Sequence, residues 1–101
     1  MKLLLTHTPQ ARRQYYGARP LELLRGLVDL TTHEGDAPLD PAGLIAAARA
    51  VDLVIVDRST PVPGEVFAGL PKLRAVMRTA VDIRNIDVDA ASSVGVLVTR
   101  A

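Results

Sequence analysis

The chain has no cysteine and no tryptophan. Disulfide staples and thiolate-bound metal are thereby excluded, so packing alone must hold the fold. Aromatic residues are limited to Tyr15, Tyr16 and Phe67, which leaves Leu, Val, Ile and Ala to build the core. Charge of one sign is also lacking: 12 basic residues face 11 acidic ones. Such a balance gives no electrostatic reason to expect nucleic acid or an anionic membrane as partner. No run approaches the ~18 apolar residues of a membrane span, and the one after Met1 is too short for a signal peptide. The expectation is a soluble, cytoplasmic protein. At 101 residues it makes a single domain, able to bury roughly 60–70% of its unfolded surface.

What is present alternates between short apolar runs and helix-like segments. The run at 3–6 reads as a strand closed by Thr8-Pro9. Residues 10–26 are helix-like, with Leu21, Leu24 and Leu27 on one face. Gly17 and Pro20 interrupt that segment and predict either two short helices or one kinked helix. A second strand is expected over 27–32, then a loop over 35–38. Asp40-Pro41 is a helix start, because aspartate caps exposed N–H groups and proline at the first position needs none. Helix follows over 44–50, and 52–56 is the clearest buried strand. After Pro61, Pro63 and Gly64, the pattern predicts a short helix over 65–70 and a strand over 73–77. Asp87 caps a helix over 88–94, Gly95 stops it, and 96–98 is the fifth strand.

Five apolar strands separated by helices predict an α/β fold, a doubly wound parallel sheet. The strand order is not written in the sequence; the flavodoxin-like order 2-1-3-4-5 is the one expected for five strands of this size. Ligands of such sheets sit beyond the carboxyl ends of the strands. That rule selects Thr6-His7-Thr8, Asp57-Arg58-Ser59-Thr60, Arg78-Thr79-Ala80-Val81-Asp82 and Arg100. His7, at the end of the first strand, is either a substrate contact or a hydrogen-bonded structural residue. The helix after the fifth strand is missing from the pattern, so one sheet face should be partly bare and prone to association.

Residues 70–99 carry a family resemblance. They read as Leu70-Pro71-Lys72-Leu73 before a strand, the turn Ala80-Val81-Asp82-Ile83-Arg84-Asn85-Ile86-Asp87, a helix with Ala90-Ala91 and Gly95, and the strand Val96-Leu97-Val98. This resembles the N-terminal, substrate-binding domain of D-isomer-specific 2-hydroxyacid dehydrogenases, with its LPxLK, GVGVDNID and AA…G elements. The resemblance implies that backbone amides at Val81 and Asp82 hold a substrate carboxylate. It also implies that Thr79, Ala80, Arg58, Ser59, Thr60 and His7 line the same cleft. The implied substrate is a small 2-hydroxy or 2-keto acid, with NAD or NADP as cofactor and a homodimer as the full-length form. Ala80 and Asp82 stand where the family has glycines, so the Asp82 carboxylate must turn away or pair with Arg78 or Arg84.

The family's GxGxxG fingerprint is not in this sequence. Residues 1–101 are therefore expected to be a substrate-binding lobe, a fragment of a two-domain oxidoreductase that binds no cofactor and is inactive alone. The alternative is a stand-alone flavodoxin-like module for a small molecule or a protein. Asp57 and Thr79-Ala80 also echo response-regulator receivers, but Thr6-His7-Thr8 lacks the acidic pair that would hold Mg²⁺. His33-Glu34 has too few neighbouring ligands for a metal, and Arg12, Arg13 and Arg19 read as a solvated basic face.

Overall fold

The computed structural model describes residues 1–15, 18–57, 59–78 and 85–100. Five parallel strands form one sheet in the order β2-β1-β3-β4-β5. In chain order the elements are β1 (Lys2–Leu5), α1 (Pro9–Tyr15), α2 (Ala18–Leu27), β2 (Asp29–Thr32), α3 (Pro41–Ala48), β3 (Leu53–Val56), α4 (Gly64–Gly69), β4 (Ala75–Arg78), α5 (Val88–Ser93) and β5 (Leu97–Arg100). No helix among the described residues is long and apolar enough to cross a membrane. The predicted α/β architecture and strand order are those observed.

Local chemistry explains most boundaries. Asp40 caps α3, its side chain accepting the Gly43 N–H at 2.6 Å, and Pro41 occupies the first helical position. Asp87 caps α5 in the same way through the Ala90 N–H at 3.0 Å. Gly95 follows α5 with φ of 77°, a left-handed conformation that glycine adopts without steric cost. The helix-like segment over 10–26 is two helices, α1 and α2.

Three expectations need correction. Leu27 ends α2 instead of opening β2 and is 82% exposed, so it does not share a packed face with Leu21 and Leu24. The fourth strand starts two residues later than its apolar run, because Leu73 is buried in the turn before β4. Val94 lies past the end of α5 as its C-cap.

The register aligns Leu4, Val54, Val76 and Val98 across one face of the sheet. That face packs against Leu44 and Ala48 of α3, Val66 and Phe67 of α4, and Ala91 of α5 to form the core. The other face runs through Leu3 and Leu5, then Leu53 and Ile55, then Met77, then Leu97. It is buried at β1, half-buried at β3, and opens to 37% exposure at Met77 and 62% at Leu97. The expected bare apolar face is thus present, on the side of the sheet toward β5.

Candidate functional site

The carboxyl ends of β1, β3 and β4 converge on a buried polar cluster inside an otherwise aliphatic protein. Thr6 and His7 follow β1, Asp57 and Thr60 follow β3, and Arg78 closes β4; all five are buried. Parallel strands place these ends side by side although they are distant in sequence.

Asp57 organises the first half of the cluster. Its Oδ1 accepts a hydrogen bond from Thr6 Oγ1 at 2.9 Å and another from Thr60 Oγ1. Thr6 Oγ1 in turn accepts the Asp57 N–H at 3.2 Å, so this hydroxyl both donates and accepts within one pair. A buried carboxylate is tolerated only when donors surround it, and the two threonine hydroxyls supply them.

Arg78 and Asn85 organise the second half. Arg78 Nε donates to Asn85 Oδ1 at 2.9 Å. The Asn85 amide nitrogen donates to the carbonyls of Thr60 at 2.7 Å and Asp57 at 3.3 Å. The main chain reinforces the link: Val62 N–H donates to the Asn85 carbonyl at 2.7 Å, and Asp87 N–H to the Val62 carbonyl at 2.9 Å. Arg78 is only 3% exposed, yet among the described residues no carboxylate lies within ion-pair distance of it.

Arg12 has a different role from the solvated one expected of it. It is buried, donating through Nη1 to the carbonyls of His33 at 2.6 Å and His7 at 3.2 Å. Its Nη2 contacts both carboxylate oxygens of Glu34, at 3.1 and 3.2 Å. The Thr32 hydroxyl and then Arg12 hold the Glu34 carboxyl below its ordinary range. This clasp ties α1 to the turns after β1 and β2, and it consumes the guanidinium. His33 Nε2 pairs with the Ala37 carbonyl at 2.7 Å, and among the described residues no group of three metal-ligating side chains occurs.

His7 is fully buried at the centre of the ligand end. Burial pushes its pKa below the usual histidine value, the Asp57 carboxylate opposes that, and the Arg12 and Arg78 guanidiniums add to it. Burial thus favours the neutral form of the ring.

Of the expected site residues, the structure brings His7 and Thr60 together, and Ser59 lies exposed between Asp57 and Thr60. Arg58, Thr79, Ala80, Val81 and Asp82 lie outside the described residues. Thr6, Asp57 and Arg78 belong to the strand-end segments selected from the sequence, whereas Asn85 was not among the expected contacts. Asn85 sits in the Asn-Ile-Asp motif, the one sequence signal that pointed toward it.

The β1–α1 turn runs His7-Thr8-Pro9 with no glycine to admit a pyrophosphate, and Pro9 removes an N–H from the helix start. At this end of the sheet the cluster holds one buried guanidinium, that of Arg78.

Known proteins share this sequence pattern and this fold. The D-3-phosphoglycerate dehydrogenase of Mycobacterium leprae is 46% identical over 66 residues, 65% of this chain and 12% of that protein. The glyoxylate reductase of Thermococcus onnurineus is 29% identical over 79 residues, 78% of this chain and 24% of that protein. A solved phosphoglycerate oxidoreductase from Vibrio cholerae superposes with a TM-score of 0.80 at 25% identity, covering 100% of this chain and 31% of its own. The chain thus spans an eighth to a quarter of the length of these curated relatives. A model of the D-isomer specific 2-hydroxyacid dehydrogenase catalytic domain matches residues 3–101, and the chain belongs to that family.

Proposed function

We propose that residues 1–101 form the substrate-binding lobe of an NAD(P)-dependent oxidoreductase acting on small 2-hydroxy or 2-keto acids. The observation that carries this reading is Arg78, a guanidinium 3% exposed at the ligand end of β4, whose Nε–H is given to the Asn85 amide and not to a carboxylate. A buried guanidinium is a place where an anion is stabilised. The carboxylate of an incoming acid would neutralise it. Backbone amides at Val81 and Asp82 add directional donors without further charge, as the family resemblance implies. Thr79, Ala80, Arg58, Ser59, Thr60 and His7 complete the lining.

The nicotinamide, when bound, supplies or accepts the hydride. We assign it to a separate nucleotide-binding domain of the whole protein, in keeping with the greater length of the relatives. The lobe alone is then inactive, and the whole protein acts as a homodimer. The phosphoglycerate dehydrogenase relative makes 3-phosphoglycerate a natural second ligand beside pyruvate.

The test is a ¹H–¹⁵N titration of the chain with pyruvate and, separately, 3-phosphoglycerate. Saturable shifts at His7, Thr60 and Arg78, lost in Arg78→Met, support the reading. Shifts confined to the open β5 face, or a response unchanged in Arg78→Met, would refute it.

A further inference from the structure

We infer that Asn85 is a positioning residue that turns the Arg78 guanidinium so that its two terminal nitrogens, and not its Nε edge, meet the acid. The inference rests on the substrate reading above and specifies how that site grips its ligand.

An arginine pairs with a carboxylate in two ways. It uses Nε with one terminal nitrogen, side-on, or the two terminal nitrogens together, end-on. In this fold Arg78 Nε donates to Asn85 Oδ1 at 2.9 Å, which occupies the side-on edge. The end-on fork is what remains for a ligand.

The direction of the Asn85 amide is itself forced. Its nitrogen meets two carbonyl oxygens, of Thr60 at 2.7 Å and Asp57 at 3.3 Å, and those groups only accept. Reversing the amide would set its oxygen against both carbonyls and its NH₂ against the Nε–H of Arg78. The backbone of the segment after β3 therefore dictates the amide, and the amide dictates the guanidinium. The Val62–Asn85 main-chain bond fixes the same segment to the approach of α5, so the two loops hold Arg78 between them. Arg12, also buried near His7, cannot substitute, because Glu34 and two carbonyls already engage its terminal nitrogens.

Aspartate at 85 would keep an acceptor for Nε but would place an anion against two carbonyls and beside the incoming acid. Alanine would release Nε and let the guanidinium swing. Neither residue can do what asparagine does, which is to accept once and donate twice from one planar group.

The experiment uses the ¹³C,¹⁵N-labelled chain and pyruvate as the probe. In the unmodified chain, a scalar coupling across the hydrogen bond from Arg78 Nε to Asn85 Cγ is expected, with slow exchange of the Nε–H. Asn85→Ala should abolish that protection and weaken pyruvate about tenfold, the loss of one well-placed charged hydrogen bond. Arg78→Lys, which keeps the charge but has no Nε, should weaken pyruvate comparably. The double variant should be no weaker than Arg78→Lys, because Asn85 acts only through the guanidinium. Losses that add in the double variant, or an Asn85→Ala variant with unchanged affinity, overturn the inference. Should Asn85→Ala fail to fold, the coupling in the unmodified chain decides, since its absence refutes the positioning whatever pyruvate does. Coupling present with no pyruvate response at Arg78 refutes the substrate reading while the Asn85–Arg78 contact stands.

Discussion

Replacing Thr60 by valine and, separately, Thr6 by valine probes the buried cluster without changing its volume. Both hydroxyls donate to the same oxygen, Asp57 Oδ1, and both threonines are fully buried. Thr60→Val removes one hydrogen bond to a charged group, about 2 kcal/mol. Thr6→Val removes the equivalent bond and also strands the Asp57 N–H, which donates to Thr6 Oγ1 at 3.2 Å. A buried donor left without an acceptor adds about 1–2 kcal/mol, so Thr6→Val should cost about 3–4 kcal/mol. Domains of this size unfold with only about 5–15 kcal/mol in hand, so both losses are large and still measurable. Urea unfolding followed by far-ultraviolet circular dichroism gives them, provided the slope m is unchanged between variants. The double variant should lose more than the sum, because the second removal leaves the carboxylate with neither hydroxyl. A neutral Thr60→Val, or a Thr60→Val costlier than Thr6→Val, would refute the assignment of these bonds.

His7 gives a pH signature. Its folded pKa lies below the unfolded value of 6.5, so the unfolded chain binds the extra proton. Stability should hold above about pH 7 and fall below 6.5, by at most about 1.4 kcal/mol per pH unit. His7→Gln should flatten that slope between pH 7 and 5, as read from urea midpoints; an unchanged slope would assign it elsewhere. Gly95→Ala should cost about 1 kcal/mol from its left-handed φ alone, since nothing lies within 4 Å of an added Cβ. A neutral result in thermal melts would mean that this turn relaxes freely. Asp40→Ala should cost about 1 kcal/mol through the lost cap on α3, and Asp40→Asn should restore most of it in the same melts.

The parts of this fold that were legible in the sequence are those with local causes. Asp40-Pro41 and Asp87 start their helices through bonds only three residues long, so the sequence displays them directly. The alternation displayed the α/β class, whereas the order 2-1-3-4-5 was expected only as the common one for five strands of this size and not from particular residues. Leu73 misled because an apolar residue packed in a turn looks like one in a strand. Leu27 misled because a helix pattern can continue past the last turn that has anything to pack against. The site was less visible because its contacts are long-range. Thr6 meets Asp57 across 51 positions, and Asn85 meets Thr60 across 25. Arg12 looked solvated among neighbouring arginines, whereas its partner Glu34 lies 22 positions away on the turn after β2. Such pairs exist only once parallel strands align their carboxyl ends.

The central claim is that this lobe grips an organic acid and leaves the nucleotide to another domain. Parallel calorimetric titrations of the chain with pyruvate and with NADH test it most directly. The account predicts saturable, Arg78-dependent binding of pyruvate and none of NADH. Saturable NADH binding to this chain, with no response to pyruvate, would contradict it.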